Sequence, residues 1–200
     1  MNTTKFKSKY LIPSTRLRNW DYAGEGMYFV TICTKNRQGY FGNIEKDKMQ
    51  LSPMGEIVQK CWMEIPVHFP FVTLDEFIVM PNHIHGIIII NKNAIVETPH
   101  WGVSTSVSTT QPNSHHIENK IGGFNPNWKP NSLGSIINQF KSICTKQIRK
   151  LYKPNFAWQP RFYDHVIRKE NSCAHIRQYI LENPLKWDMD NNNPLRDSVI

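Results

Sequence analysis

Apolar residues fall in short runs along the chain, and four of these runs predict β-strands. The run from Tyr28 to Thr34 is rich in β-branched and aromatic residues and ends in a polar turn. Residues 74–80 predict a second strand. Residues 84–90 predict a third, which is apolar on both faces and therefore central in its sheet. Residues 161–168 alternate between polar and apolar side chains, as a half-buried strand does.

Three other segments repeat apolar residues at helical spacing. The first begins at Ser52-Pro53, an N-cap followed by proline, and ends at Pro66. The second covers residues 132–150, and the third runs from about 172 to 183, before Pro184. The order β, α, β, β, α, β, α predicts an α+β fold. We expect a ferredoxin-like antiparallel sheet of four to five strands, with the helices packed on one face.

The pattern is interrupted between residues 92 and 131, which are rich in Ser, Thr, Asn, Pro and Gly and show no period. A segment of this length predicts a mobile insertion in a single domain, whose core is about 16–91 and 130–187 with a tail at 188–200. The four scattered cysteines indicate neither a zinc ribbon nor a disulfide scaffold. No apolar run is long enough for a bilayer or a secretion signal, so we expect no membrane contact and a cytoplasmic, nucleoid-associated location.

The net charge of +8 favours a polyanionic partner, and nucleic acid is the commonest one in a cytoplasm. Four cations of the 132–150 helix lie on the face opposite its apolar stripe, with no acidic residue between 129 and 153. Trp20, Trp158 and Phe162 are candidates for stacking on bases, although each fits a core position better. The candidate contacts to the nucleic-acid backbone are Arg16, Arg18, Lys141, Lys146, Arg149, Lys150 and Arg161.

Two histidines open the predicted central strand. His83 and His85 flank Ile84, and because side chains alternate along a strand, both imidazoles project from the same face. A His-x-His pair on its own is weak support for a metal site. Its place at the mouth of a buried strand strengthens it, since unpaired buried imidazoles are costly and a shared cation would satisfy both.

The last helix carries a second pair of polar residues. Tyr179 and Asn183 are four residues apart, which places them one turn apart on the same face. A tyrosine can act as a covalent nucleophile, and an amide oxygen can bind a metal. Considered alone, the pair fits better a core tyrosine beside Ile176 and Ile180, followed by a residue at the end of the helix.

Three runs together, DYAGEGMYFVTICTKNR, VMPNHIHGIIII and WQPRFYDHVIRKENSCAHIRQYILENPLKW, resemble the single-tyrosine HUH transposases (histidine-hydrophobic-histidine) of the IS200-like superfamily. The resemblance is strongest to the REP-associated tyrosine transposases, which are tied to repetitive extragenic palindromes. It covers residues 16–91 and 130–187 and leaves out the insertion and the tail. It implies that His83, His85 and Asn183 bind a divalent metal, Mg²⁺ or Mn²⁺, and that Tyr179 is the nucleophile.

The implied activity is cleavage and transfer of single-stranded or hairpin DNA through a 5′-phosphotyrosine, by a monomer or a homodimer. Tyr163, beside Asp164 and His165, is the rival nucleophile. Two other functions fit the residues. One is a regulator that binds DNA or RNA hairpins without catalysis. The other is a metal hydrolase with a water nucleophile, using the histidines with Asp164 or Glu182.

Overall fold

The computed structural model describes residues 16–17, 19–92, 129–194 and 196. Arg18 and most of the predicted insertion lie outside these residues. None of the described helices is long and apolar enough to cross a bilayer. The elements follow in this order: β1 (Gly26–Cys33), β2 (Gly42–Glu45), β3 (Lys48–Leu51), α1 (Pro53–Met63), α2 (Ile65–His68), β4 (Val72–Met80), β5 (His83–Ile90), α3 (Leu133–Leu151), β6 (Tyr163–Ile167) and α4 (Glu170–Leu181).

Four strands form one antiparallel sheet in the order β4-β5-β1-β6. Strand β5 is central, as its apolar sequence predicts, and pairs with β1 so that Ile84 lies opposite Ile32. Ser52 caps α1 by accepting a hydrogen bond from the backbone N–H of Gly55, and Ser132 forms a capping box with Ser135 at the start of α3. The predicted α+β fold with an antiparallel ferredoxin-like sheet is confirmed.

Helices α1 and α3 pack on one face of this sheet and enclose the main core. Ile84 and Ile88 of β5 contribute to that core together with Trp62 of α1 and Phe140 of α3. Gly86 lies directly beneath the Trp62 ring, where an added Cβ would come within 2.4 Å of a ring carbon. The indole therefore fills the space that a side chain at position 86 would occupy.

Helix α4 lies on the opposite face of the sheet, whereas the sequence analysis expected all helices on one face. Phe29, Ile87 and Ile167 make a second apolar surface there, which Cys173 and Ile180 of α4 cover. The physical reason is the composition of β5, because a strand that is apolar on both sides needs a covering layer on each. The fold therefore places β5 between two layers of helices.

A two-stranded hairpin, β2–β3, was not predicted. Its turn residues Lys46 and Asp47 both have positive φ, at 48° and 60°. Tight hairpin turns of this kind usually contain Asn-Gly or Asp-Gly, so the Lys-Asp pair at this turn lacked the expected signal. The hairpin packs beside α1 and away from the histidines of β5.

Candidate active site

His83 and His85 lie at the first and third positions of β5 and face the α4 side of the sheet. Their ring centroids are 4.4 Å apart, and only 0% and 2% of the two residues is exposed. The strand alternation inferred from the sequence therefore holds, with Ile84 pointing into the main core between them. Two buried imidazoles thus share one end of an otherwise apolar surface.

The protonated nitrogen of His83 is fixed by its neighbour. Its Nδ1 lies 2.8 Å from Oδ1 of Asn82. The Asn82 amide nitrogen donates to the backbone carbonyls of Arg37 and Asn192, so the oxygen must be the atom that faces the ring. Nδ1 of His83 therefore carries the hydrogen, and its Nε2 presents a lone pair.

His85 is held between two hydroxyl groups. Its Nδ1 lies 2.9 Å from Oγ1 of Thr31, and its Nε2 lies 3.3 Å from the hydroxyl of Tyr179. Burial lowers the pKa of His83 to about 3 and the pKa of His85 well below its ordinary value, so both rings are neutral at neutral pH. A neutral imidazole is the form that binds metal ions.

A third polar side chain, Asp190, comes from the chain after α4. Its Oδ2 lies 3.8 Å from Nε2 of His83, and the side chain is 5% exposed. One ligand atom from each of His83, His85 and Asp190 lies within 4.8 Å of the others. The two facing atoms of His83 and Asp190 are both acceptors, and both are buried without a hydrogen-bond partner. Because two such acceptors repel each other and are costly to bury, this pair fits a shared cation.

Asn183 adds another unpaired oxygen to this region. It lies two residues beyond the end of α4, not within the helix as predicted, and its backbone N–H donates to the carbonyl of Ile180. The side chain is buried, and its Oδ1 has no hydrogen-bond partner. Asn183, His85 and Asp190 line the same cavity, which fits an oxygen ligand at this position.

Tyr179 lies on the last turn of α4 and is 43% exposed. Its ring packs edge-on against His85 and Phe29, with centroids 5.2 Å and 6.0 Å away. Partial burial raises the pKa of the phenol, the negative charge of Asp190 raises it further, and a hydrogen bond with the Asn183 side chain opposes the rise. The metal-free site therefore keeps this hydroxyl protonated at neutral pH.

A cavity of about 660 Å³, which we call the catalytic pocket, is lined by His85, Tyr179, Asn183 and Asp190. Cationic residues lie around it, and Asp190 is the one carboxylate among its lining residues in the described part of the chain. Tyr163 lines the same pocket and is 49% exposed. The cationic lining residues are Arg37, Arg161 and Lys186.

Sequence analysis missed Asp190, because the tail after residue 187 was left out of the resemblance. The tail is held by hydrogen bonds from Arg37 Nη1 to the Asn191 carbonyl and from Asn82 to the Asn192 carbonyl, each 2.7 Å long. The only signal in the sequence is the pair of acidic residues, Asp188 and Asp190, soon after the tyrosine helix. Without the fold, nothing distinguishes the exposed carboxylate from the buried one.

Three of the predicted backbone contacts interact within the protein. Lys141 donates to the carbonyls of Gln159 and Arg161, and burial lowers its pKa to about 8. Arg149 donates from Nε to the carbonyl of Phe156. Arg16 lies over the Tyr22 and Phe162 rings, with its Nε 3.7 Å from Asp164. Lys141 and Arg149 thus bind the chain between α3 and β6, and Arg16 lies against β6 itself.

The remaining predicted contacts divide between two surfaces. Lys146 and Lys150 are exposed on α3, on the far side of the sheet from Tyr179, whereas Arg161 is exposed at the catalytic pocket. Arg18 lies outside the described residues. Trp158 is buried among Phe41, Phe140 and Phe156, so it is part of the core.

The carboxylates named for a water-dependent hydrolase lie elsewhere. Asp164 is buried on the α3 side of β6, beside Arg16. Glu182 binds Lys186 and Gln178 at the surface. Neither belongs to the group of ligand atoms that His83 and His85 form with Asp190.

No family model matches the chain. An uncharacterised protein of Haemophilus influenzae is 37% identical over 177 residues, which cover 88% of this chain and 90% of the relative. A second protein of that organism, described as "Putative REP-associated tyrosine transposase", is 23% identical over 83% of this chain and 74% of its own length. A solved REP-associated tyrosine transposase bound to a REP hairpin superposes with a TM-score of 0.49 and 18% identity, over 81% of this chain and 68% of that one.

Proposed function

We propose that the chain, which is similar to a protein described as a putative REP-associated tyrosine transposase, is a member of that family within the single-tyrosine HUH superfamily. We further propose that it is a metal-dependent endonuclease and strand transferase of single-stranded DNA. The proposal rests on one observation: several buried acceptor atoms without hydrogen-bond partners lie together beside the exposed phenol of Tyr179. His83 Nε2, Asp190 Oδ2 and Asn183 Oδ1 each lack a partner, and Tyr179 contacts His85. Simple binding of nucleic acid does not require this group of residues.

In this proposal the cation is held by His83, His85, Asn183 and Asp190. These residues would hold a divalent ion, Mg²⁺ or Mn²⁺, which would supply Lewis-acid chemistry at a bound phosphate. The mixture of nitrogen and oxygen donors suits Mn²⁺ at least as well as Mg²⁺. One carboxylate with three neutral donors leaves a net positive charge at the phosphate.

Tyr179 is the proposed nucleophile. Its phenolic oxygen attacks the phosphorus and forms a 5′-phosphotyrosine, while the bond from phosphorus to the 3′-oxygen breaks. The phenol gives up one proton and the departing oxygen gains one, so a 3′-hydroxyl is released and the step can run in reverse to join strands. The edge-on contacts with His85 and Phe29 hold the ring at the mouth of the pocket, which supports this role.

The proposed substrate is single-stranded DNA or the single-stranded flank of a hairpin. In-line attack needs a backbone that can bend into the pocket, which a regular duplex does not allow. Arg37, Arg161 and Lys186 surround the pocket and favour phosphate binding. Lys146 and Lys150 are proposed to contact a more distant part of the DNA. A cytoplasmic location and the choice between monomer and homodimer stay predictions.

The test is a denaturing gel with Mn²⁺ and single-stranded palindromic DNA labelled at its 3′ end, because the fragment on the 3′ side of the cut is the one that stays on the tyrosine. We expect a covalent protein–DNA adduct with the native protein, none with Tyr179→Phe, and an undiminished adduct with Tyr163→Phe, the matched control from the same pocket. Cleavage without an adduct would instead indicate a water nucleophile. Binding without cleavage under any metal condition would indicate a regulator of nucleic-acid hairpins.

A further inference from the structure

A second cavity of about 520 Å³ continues from the catalytic pocket along the open side of β6. We call it the β6–α4 groove; it is lined by Phe29, Tyr163, His165, Ser172, His175 and Ile176. It shares Phe29 and Tyr163 with the catalytic pocket, so the two cavities meet at these rings. A strand that enters the pocket therefore has a continuous path between the sheet edge and α4.

The groove exists because α4 is held over the other half of the sheet. Arg177 on α4 donates to both carboxylate oxygens of Asp75 in β4, at 2.9 Å and 2.6 Å. The apolar residues of α4 cover Ile87 and Ile167 and leave the start of β6 uncovered. Along the same face of β6, Ile167 is 8% exposed while Tyr163 is 49% exposed.

The lining of the groove is aromatic and polar apart from Ile176, and it contains no carboxylate. Tyr163 lies edge-on to Phe29 at a centroid distance of 6.3 Å, and Phe29 stacks on His85 at 5.3 Å. The Tyr163 ring is thus fixed on one side and open on the other. An exposed aromatic face in a cavity is a platform for a nucleobase, and histidines offer hydrogen bonds to base edges without adding fixed negative charge.

We propose that the β6–α4 groove binds the single-stranded DNA adjoining the phosphate attacked by Tyr179, and that a base in this segment stacks on Tyr163. The proposal rests on the proposed function, which supplies the DNA. His165 and His175 are placed to contact the edges of that base or the next. Tyr163 is then a binding residue that selects and orients substrate, and this role explains its exposure without making it a nucleophile.

The test is fluorescence anisotropy with a labelled single strand of about 16 nucleotides and one defined palindromic sequence, in EDTA so that binding is measured without metal or cleavage. We expect about tenfold weaker binding for Tyr163→Ala, because stacking on an aromatic ring is lost. Tyr163→Phe keeps the ring and should bind as the native protein does. Tyr152→Ala is the matched control, since Tyr152 is similarly exposed at the end of α3.

A 2-aminopurine base moved stepwise along the same oligonucleotide locates the contact. We expect one position whose fluorescence is quenched by native protein and by Tyr179→Phe, but not by Tyr163→Ala. Unchanged affinity of Tyr163→Ala, an equal loss in Tyr152→Ala, or equal competition by RNA of the same length would overturn the proposal. The adduct gel tests the proposed function separately, because adduct formation depends on Tyr179 and the metal, whereas these binding measurements depend on Tyr163.

Discussion

The two faces of strand β5 have the same backbone and different roles. On the α3 side, Gly86 lies beneath the Trp62 ring, and Ile84 and Ile88 belong to the same apolar core. On the α4 side, Ile87 is equally buried, but His83 and His85 replace the apolar residues at the start of the strand. The packed core on the α3 side keeps β5 rigid, and this rigidity fixes the positions of His83 and His85 on the α4 side.

The largest expected difference between the faces appears when each is substituted in turn. Ile84→Ala should lower the free energy of unfolding by about 2–5 kcal/mol, because it leaves a cavity in the main core. His83→Leu removes the unpaired Nε2 but also leaves the buried Asn82 Oδ1 without its donor, so it should lower the metal-free value by only about 1–3 kcal/mol. It should nevertheless abolish the metal-dependent adduct. Urea denaturation and the adduct gel measure the two effects, and a reversed ranking would contradict the assignment of faces.

A methyl group added to the apolar face should also lower the free energy of unfolding. Gly86→Ala forces the Trp62 ring to move, and overpacking of this kind costs about 1–3 kcal/mol. Gly39→Ala is the control, because its Cβ would meet Pro81 only at 3.8 Å. Equal unfolding midpoints for the two variants would show that the Trp62 contact is not tight.

On the polar face, Asp190→Asn removes the negative charge of the side chain and keeps its size, so it tests the role of the charge in metal binding. Loss of a hydrogen-bonding partner outside the ligand set weakens metal binding by about 10–100-fold, and loss of a direct ligand should cost at least as much. Asp188→Asn, in the exposed neighbour, should leave Mn²⁺ affinity unchanged in a calorimetric titration. Similar affinities for the two variants would place the Asp190 carboxylate outside the metal site.

The smallest expected effect is the dependence of metal-free stability on pH. The folded pKa of His83 is about 3 and the unfolded value is about 6.5, so only the unfolded state takes up a proton between them. Stability should therefore be complete above pH 6.5 and fall by about 1–2 kcal/mol from this residue as the pH drops to 5. His83→Leu should reduce the slope in urea titrations, and an unchanged slope would argue against a buried neutral ring.

Local patterns account for most of the fold. Side-chain alternation predicted that His83 and His85 share a face, and the Ser52 and Ser132 caps predicted where α1 and α3 begin. The β2–β3 turn was missed because Lys46-Asp47 lacks the usual residues. The position of α4 was missed because it depends on which apolar face remains uncovered after α1 and α3 have packed.

The site was less predictable because it depends on contacts between distant segments. Asp190 meets His83 in a segment that hydrogen bonds to Arg37 and Asn82 help to hold. Lys141 and Arg149 have the charge of phosphate contacts, yet they bind carbonyl groups of the chain between α3 and β6. Charge and spacing do not reveal these contacts within the protein, and contact of the same cations with DNA stays a prediction.

The central claim is that one cation binds between the paired imidazoles and the tail carboxylate, next to Tyr179. The most direct measurement is a crystal structure of the protein soaked in Mn²⁺, with the ion located by its anomalous scattering. We expect one strong peak about 2.2 Å from His83 Nε2, His85 Nε2, Asn183 Oδ1 and Asp190 Oδ2, with the Tyr179 hydroxyl beside it. An ion bound elsewhere, or a saturated soak with no peak between His83 and His85, would contradict the account.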